Sequence, residues 1–279
     1  MSDITKSQIF QDEHVLDYYR AKKNGYFVDI GANDGIAFSN TLKLEKEFQW
    51  TGVCFEPLKP EFDKLKSIRS AHCINKAVYD VSDKTLTFSV NSLLSGISDH
   101  LSDKYNTSNW QKVEVQTITL LEALDSINAP RFIEYASIDT EGSEQAVLNG
   151  MDFTKYIIGY ITIEHNYEKE RRLAMREYLC SRGYFYKAPN FFDDDYIHKS
   201  LIEGVYYKDG NKTIPIVLKL DEGSDSTTIR MKSPYYLNGN EDEGQMCGQH
   251  MTIQWLYMNI RSKLYFDCII LENGVIWHR

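Results

Sequence analysis

The sequence predicts an α/β fold with a mostly parallel sheet, followed by a smaller β-rich part. Up to about residue 200, short apolar strand segments alternate with helical segments, which is the pattern of βαβ units in a parallel sheet. Beyond that point the segments are β-rich and are separated by stretches of Gly, Asp, Ser and Asn. We therefore expect one domain over residues 1–200 and a β-rich domain of unknown role over 201–279.

The individual elements follow from the hydrophobic pattern. Compact apolar runs predict strands, and apolar residues spaced three and four apart predict helices. The predicted strands are 26–30, 51–56, 72–80, 85–90, 113–120, 132–139 and 156–165. The predicted helices are 38–48, one that Pro60 opens, 120–127, 143–150 and 168–183. Gly150 and Gly183 end the last two of these helices, as glycine commonly does.

Composition and charge limit the classes of protein to consider. The 42% of hydrophobic and 25% of charged residues are ordinary for a globular domain. A net charge of -9 argues against binding to nucleic acids through their phosphates. The five cysteines contain no CxxC pair and predict reduced, mostly buried thiols. With no signal-peptide pattern and no apolar run that could span a bilayer, we expect a cytoplasmic protein.

Two runs of like or mixed charge have simple interpretations. The three aspartates at 193–195 predict a solvated loop, and the "EKERR" run at 168–172 predicts a solvated helix face.

The turn after the first strand, "DIGANDG", predicts a ligand site. In open α/β sheets, ligands bind beyond the carboxyl ends of the strands, where small residues let the backbone approach. Gly31 and Gly35 can adopt positive φ, but Asn33 stands where a dinucleotide site would need its second glycine. A ligand without a phosphate fits better. Asp29 could face an ammonium group and Glu56 the ribose hydroxyls, as in S-adenosylmethionine.

Four segments in order resemble the FkbM family of S-adenosylmethionine-dependent methyltransferases. They are SQIFQDEHVLDYY, KKNGYFVDIGANDGIAFSNT, WTGVCFEP and SIDTEGSEQAVLNGMDF, and the resemblance covers roughly residues 7–187. It implies a Rossmann-like class I methyltransferase sheet of seven strands, one of them reversed. It also implies O-methylation, which in several family members occurs on sugar hydroxyls. The β-rich C-terminal part lies outside the resemblance.

The resemblance also implies which residues surround the cofactor. These are Asp29, Gly31, Asn33, Glu56, Ala77, Val78 and Ser95. The first three would line the methionine side, the glutamate would take the ribose hydroxyls, and Ala77 and Val78 would lie near the adenine. Ser95 belongs either to a Ser-Gly loop near the cofactor or to an ordinary polar turn. An N-terminal motif would close over the pocket or merely cap a helix, and it comprises Gln8, Gln11 and Asp12.

Methyl transfer to an alcohol requires a general base, a metal that acidifies the hydroxyl, or both. Asp139 ends the fourth strand of the predicted sheet, and Glu164 and His165 end the fifth. Neighbouring strand ends lie about 5 Å apart, so these side chains could converge. Glu141 is either a catalytic residue or a cap for the helix that begins near Ser143.

The same layout is similar to that of metal-dependent O-methyltransferases, which have an acid after the fourth strand and an acid-amide pair after the fifth. Here His165 replaces the second ligand of that pair. Two mechanisms stay open: Mg²⁺ or Mn²⁺ held by Asp139 with Glu164 or His165, and metal-free base catalysis by His165.

The sequence as a whole predicts an O-methyltransferase that acts on a hydroxyl of a sugar or glycan. The alternative is a non-catalytic glycan- or protein-binding module on the same fold. The β-rich part is a candidate for an acceptor-positioning module or for the contact of a homodimer.

Overall fold

The computed structural model describes residues 7–91, 94–101 and 106–201, and beyond them the backbone of six short strands. The helices are α1 Gln11–Tyr18, α2 Leu42–Phe48, α3 Lys59–Ile68, α4 Leu120–Ser126, α5 Glu144–Asn149 and α6 Lys169–Cys180. The strands before residue 100 are β1 Tyr26–Ile30, β2 Thr51–Phe55, β3 His72–Ile74, β4 Ala77–Tyr79, β5 Thr85–Val90 and β6 Gly96–Ile97. They are followed by β7 Gln111–Thr119, β8 Phe132–Ile138, β9 Ile157–Glu164, β10 Tyr184–Asn190 and β11 Asp193–His198.

The main sheet has seven strands in the order β3-β2-β1-β8-β9-β11-β10. The pairs from β3 to β9 are parallel, and β11 runs antiparallel to both of its neighbours. This confirms the predicted sheet of seven strands with one reversed. The hairpin of β10 and β11 has no counterpart among the predicted strands.

Helices cover both faces of the sheet, which explains why its strands read as continuous apolar runs. Val28 packs in the core that contains α4, α5 and α6, whereas Phe27 packs in the core that contains α1, α2 and α3. Successive residues of a strand point to opposite faces, so Asp29 lies on the side of Phe27. The strand pattern thus determines which helices surround the acid at the end of β1.

The segment of the chain between β3 and β8 forms a second sheet of four strands, in the order β4-β7-β5-β6. The predicted strand 72–80 is therefore two strands, because the chain leaves the main sheet after residue 74. The Asn75 side chain donates hydrogen bonds to the carbonyls of Glu56 and Pro57 at 2.8 and 2.9 Å and holds this exit. The chain then enters the second sheet as β4, which contacts α5.

The prediction of a solvated loop at 193–195 is wrong, since all three aspartates are buried in β11. Asp194 is bound by Arg172 at 2.6 Å and by Arg176 at 3.1 Å, both on α6. Asp195 accepts a hydrogen bond from the Tyr160 hydroxyl at 2.6 Å. Arg172 belongs to the run that was expected to be a solvated helix face, so this expectation holds only in part.

No helix among the described residues is long and apolar enough to cross a membrane. Of the three cysteines in the fully described ranges, Cys54 is buried, Cys73 is half-buried and Cys180 is exposed, and none is in a disulfide. The last described strands are β12 Tyr206–Asp209, β13 Lys212–Pro215, β14 Val217–Leu220, β15 Ile229–Lys232, β16 Cys268–Ile270 and β17 Ile276–His278. They form three antiparallel pairs. A separate domain over 201–279 stays a prediction.

Candidate active site

A cavity of about 380 Å³ lies beyond the carboxyl ends of β1, β2, β8 and β9. The structure brings ten of the eleven predicted site residues to its wall. They are Asp29, Gly31, Asn33, Glu56, Ala77, Val78, Ser95, Asp139, Glu141 and Glu164. The second sheet supplies the side of the cavity that contains Ala77 and Val78, and Ser95 directly precedes β6.

The turn after β1 requires glycine because it approaches another strand end. Gly31 has a φ of 90°, and a Cβ at this position would lie 1.9 Å from the carbonyl oxygen of Asp139. Its backbone N–H donates to the carbonyl of Phe55 at 3.2 Å. The turn is thus held between the ends of β2 and β8, which places its backbone at the cavity wall.

Asp29 is buried beside a fully buried arginine. Its carboxylate accepts a hydrogen bond from the Thr41 hydroxyl, and Arg69 Nη1 lies 3.9 Å from Asp29 Oδ2. Burial raises the pKa of Asp29, and Arg69 and Thr41 oppose that rise. Asn40, which also lines the cavity, donates to Ser137 at 2.8 Å, while its buried Oδ1 has no hydrogen-bond partner among the described residues. Asn40 was not among the predicted site residues.

Glu56 is fixed in position by two backbone N–H groups. Asn33 donates to Glu56 Oε2 at 3.0 Å, and Leu58 donates to Oε1 at 2.7 Å. Burial raises the pKa of Glu56 to about 7 despite these two hydrogen bonds. The carboxyl group therefore has a fixed orientation at the wall of the cavity, with lone pairs left for ligand hydroxyls.

Three acids meet at the ends of β8 and β9, and we call Asp139, Glu141 and Glu164 the acidic triad. One carboxylate oxygen of each lies within 4.8 Å of those of the other two. Burial is the main cause that raises the pKa of all three. Repulsion adds to it, from Glu144 on Asp139, from Asp139 on Glu141, and from both of these triad members on Glu164. Glu141 Oε2 accepts a hydrogen bond from the Asn166 side chain at 3.3 Å, while Glu144 accepts the N–H groups of Thr140 and Gly142 at 3.0 and 2.8 Å. The catalytic role of Glu141 stays a prediction.

The structure does not bring His165 into the cavity. Its ring is fully buried, with Nε2 3.6 Å from Asp194 Oδ1, and Nδ1 accepts the backbone N–H of Tyr167 at 3.0 Å. Because Glu164 faces the cavity, the next residue along the strand faces away from it. Burial lowers the pKa of His165, which favours the neutral ring.

Asn166 takes the place that His165 was expected to have. Its side-chain N–H₂ group donates to Glu164 Oε2 at 2.8 Å and to Glu141 Oε2 at 3.3 Å. Its φ of 49° turns the chain back toward the cavity, which it lines. Glu164 and Asn166 therefore form an acid-amide pair at the end of β9, with His165 between them.

The N-terminal segment contributes one residue to the wall. Gln8 lines the cavity, Gln11 donates to Asp193 Oδ2 at 2.9 Å, and Asp12 accepts the Ser7 hydroxyl. The Gln11 side chain thus connects α1 to β11, and Asp12 connects α1 to the residues that precede it. Closure of this segment over the pocket stays a prediction.

The model of the Methyltransferase FkbM domain matches residues 29–186, more than half of the chain. The chain belongs to the FkbM methyltransferase family. It therefore carries a methyltransferase domain, and the resemblance seen in the sequence is confirmed. Of the residues that line the cavity, Gln8 and Phe192 lie outside the matched range. The sequence has no significant match among curated proteins.

Solved structures that resemble this FkbM methyltransferase are distant in sequence. The methyltransferase FkbM from Methylobacillus flagellatus KT is 13% identical with a TM-score of 0.39, and the match covers 64% of this chain. This chain spans only 44% of the length of that protein. The precorrin-6y C5,15-methyltransferase from Geobacter metallireducens GS-15 is 11% identical with a TM-score of 0.39, and the match covers 71% of this chain and 90% of that one.

Proposed function

We propose that this FkbM methyltransferase transfers the methyl group of S-adenosylmethionine to a hydroxyl of a sugar or glycan. The observation that carries the proposal is the division of one cavity into two parts. Asp29 and Glu56 lie at the ends of β1 and β2, and the acidic triad lies at the ends of β8 and β9. One part suits a cationic nucleoside, and the other suits an incoming hydroxyl.

The first part of the cavity fits the polar groups of S-adenosylmethionine. The buried Oδ1 of Asn40 has no hydrogen-bond partner among the described residues, and it lies in the same wall as Asp29. A buried acceptor without a donor is costly, so a ligand ammonium group would satisfy it. Glu56 is oriented to accept ribose hydroxyls. When bound, S-adenosylmethionine supplies a methyl group on a positively charged sulfur.

The acidic triad fits the removal of the hydroxyl proton. An alcohol is a weak nucleophile near neutral pH, and a carboxylate whose pKa is raised toward that range is a suitable general base. Asp139 and Glu141 both have a raised pKa and line the cavity. Asn166 holds the carboxylate of Glu164 in a fixed position.

The triad also fits a divalent cation, because three carboxylates on one side of a cavity are the ligands that Mg²⁺ and Mn²⁺ prefer. Asp139, Glu141 and Glu164 would hold the ion, replacing the set that included His165. Bound there, it would lower the pKa of the acceptor hydroxyl. A bound cation would also relieve the repulsion among the three acids.

Incubation with labelled S-adenosylmethionine and a panel of free sugars and oligosaccharides tests the proposal. We expect label transfer by the native chain and a decrease of about 100-fold or more in Asp139→Asn, which removes a candidate general base. Glu122→Gln, which changes an exposed glutamate on α4, should keep full activity. Loss of transfer in EDTA and its recovery with Mn²⁺ would support the metal mechanism, and equal rates would support base catalysis without metal.

Calorimetry separates the two halves of the proposal. Absence of heat with S-adenosylmethionine and a folded protein would refute the cofactor assignment. Donor binding with no transfer to any sugar would refute the acceptor assignment. If sugars bind under those conditions, the non-catalytic binding module becomes the better explanation.

A further inference from the structure

Exposed apolar side chains concentrate on the cavity wall and at positions near its lining residues in the chain. Among the described residues, seven large apolar side chains are exposed by more than a third, and five of them lie on the cavity or beside it in the chain. We call these five the collar: Phe10, Phe38, Leu94, Tyr167 and Phe191.

The collar is tied to the cavity by its members and their neighbours. Phe38 and Leu94 line the cavity themselves. Tyr167 follows the lining residue Asn166, Phe191 precedes the lining residue Phe192, and Phe10 is two positions from Gln8. Exposed apolar groups that cluster in this way mark binding surfaces more often than scattered ones do.

The backbone of the collar is strained as well. Phe10, Phe38, Tyr167 and Phe191 have φ values of 65, 56, 60 and 53°. Bulky side chains rarely adopt this left-handed region, and positions that hold them there occur preferentially at ligand sites. Among the described residues, every aromatic residue with positive φ belongs to the collar. Neither burial nor backbone preference explains aromatic residues at these four positions.

The arrangement indicates what the collar would bind. Its members come from five separate parts of the chain, each at or near a residue that lines the cavity, so they would surround a molecule that enters it. The acidic triad below them repels anions, which favours an uncharged acceptor. Aromatic faces offer large apolar surfaces of low flexibility, and these match the C–H faces of sugar rings.

We propose that the collar binds the sugar units next to the one that is methylated, so that the acceptor is an uncharged oligosaccharide and not a free monosaccharide. This inference rests on the proposed function. The collar would thus determine which acceptor lengths bind well, and the turn after β1 would bind the methyl donor.

The test compares a monosaccharide and a neutral oligosaccharide that ends in the same sugar. Phe191→Gly and Tyr167→Gly should each raise the KM for the oligosaccharide, relative to that for the monosaccharide, by about tenfold, which is the loss of about one stacking contact. The unfolding temperature should stay equal or rise, because glycine accepts positive φ. Leu173→Ala, which changes an exposed leucine of α6 outside the collar, should alter neither value.

Two results would overturn the proposal. One is an unchanged KM ratio in both glycine variants, and the other is a shift in their association state in analytical ultracentrifugation, since the collar would then be a contact between copies of the chain. If no sugar is methylated, saturation-transfer NMR can still show whether the protein binds the oligosaccharide, independently of methyl transfer. A signal that both variants lose supports the collar, and a native chain without signal refutes it.

Discussion

We expect Arg69→Met to destabilise the protein, because it removes the positive charge that neutralises two buried carboxylates, Asp29 and Glu45. The Arg69 side chain is fully buried, its Nε donates to Glu45 Oε2 at 2.8 Å, and its Nη1 lies 3.9 Å from Asp29 Oδ2. It also donates to Thr41 at 2.7 Å and to Ser39 at 3.2 Å in the segment before α2. One guanidinium therefore serves both carboxylates and the loop beside the cavity.

The magnitude follows from Glu45. Burial would raise its pKa, but Arg69 and hydrogen bonds from Ser70 outweigh burial and lower the pKa from 4.5 to about 2. At about 1.4 kcal/mol for each pH unit, that difference corresponds to about 3 kcal/mol of stability. Because the folded pKa lies below the unfolded one, this contribution is present above pH 4.5 and is lost as the pH falls toward 2. Removing one partner of a buried pair costs about 3–5 kcal/mol, which is the loss expected for Arg69→Met at pH 7.

Urea unfolding followed by circular dichroism at pH 7 and at about pH 3.5 measures this loss. The deficit of Arg69→Met should shrink by about 1 kcal/mol or more at the lower pH, because Glu45 can then take up a proton. Arg69→Lys keeps the charge and should lose less. An equal deficit at both pH values would refute the electrostatic reasoning and leave lost packing as the cause.

Four further substitutions test the fold by the same unfolding measurement. Gly31→Ala should lower the free energy of unfolding by more than about 2 kcal/mol, because the new Cβ would clash with the Asp139 carbonyl. Gly183→Ala also places alanine at positive φ, 85°, but only a flexible side chain lies nearby, so it should cost about 1 kcal/mol. Equal losses in the two variants would contradict this reasoning. Leu44→Ala, in a fully buried position, should cost about 2–5 kcal/mol, and a loss below 1 would be inconsistent with its packing. Lys59→Ala removes an exposed ion pair and should change stability by less than about 0.5 kcal/mol.

The parallel part of the fold could be predicted because its strands are short apolar runs buried on both faces. The β10–β11 hairpin could not, since its second strand begins with three aspartates. The compensating charges for Asp194 are Arg172 and Arg176, which lie 22 and 18 positions earlier in the chain. Local sequence shows the charges but not their pairing, so burial of this run depends on tertiary contacts.

The site could be predicted where a residue stands at the end of a strand. Asp29 and Glu56 lie in the cavity for this reason. His165 does not, because side chains alternate along β9 and Glu164 already faces the cavity. That alternation was available in the sequence, and it would have favoured Asn166. The exposed aromatics gave no such signal, since positive φ at a phenylalanine has no local pattern.

The reversed strand has a consequence for how acceptors can change. Because β11 runs antiparallel to β9, its first residue, Asp193, pairs with Glu164 at the carboxyl end of β9. The tip of the hairpin therefore lies at this end, where Phe192 lines the cavity. This tip shares no backbone with the segment that begins at Asp29. On the proposed function, evolution could lengthen or rebuild the tip to accommodate a new glycan while the methyl-donor half stays intact.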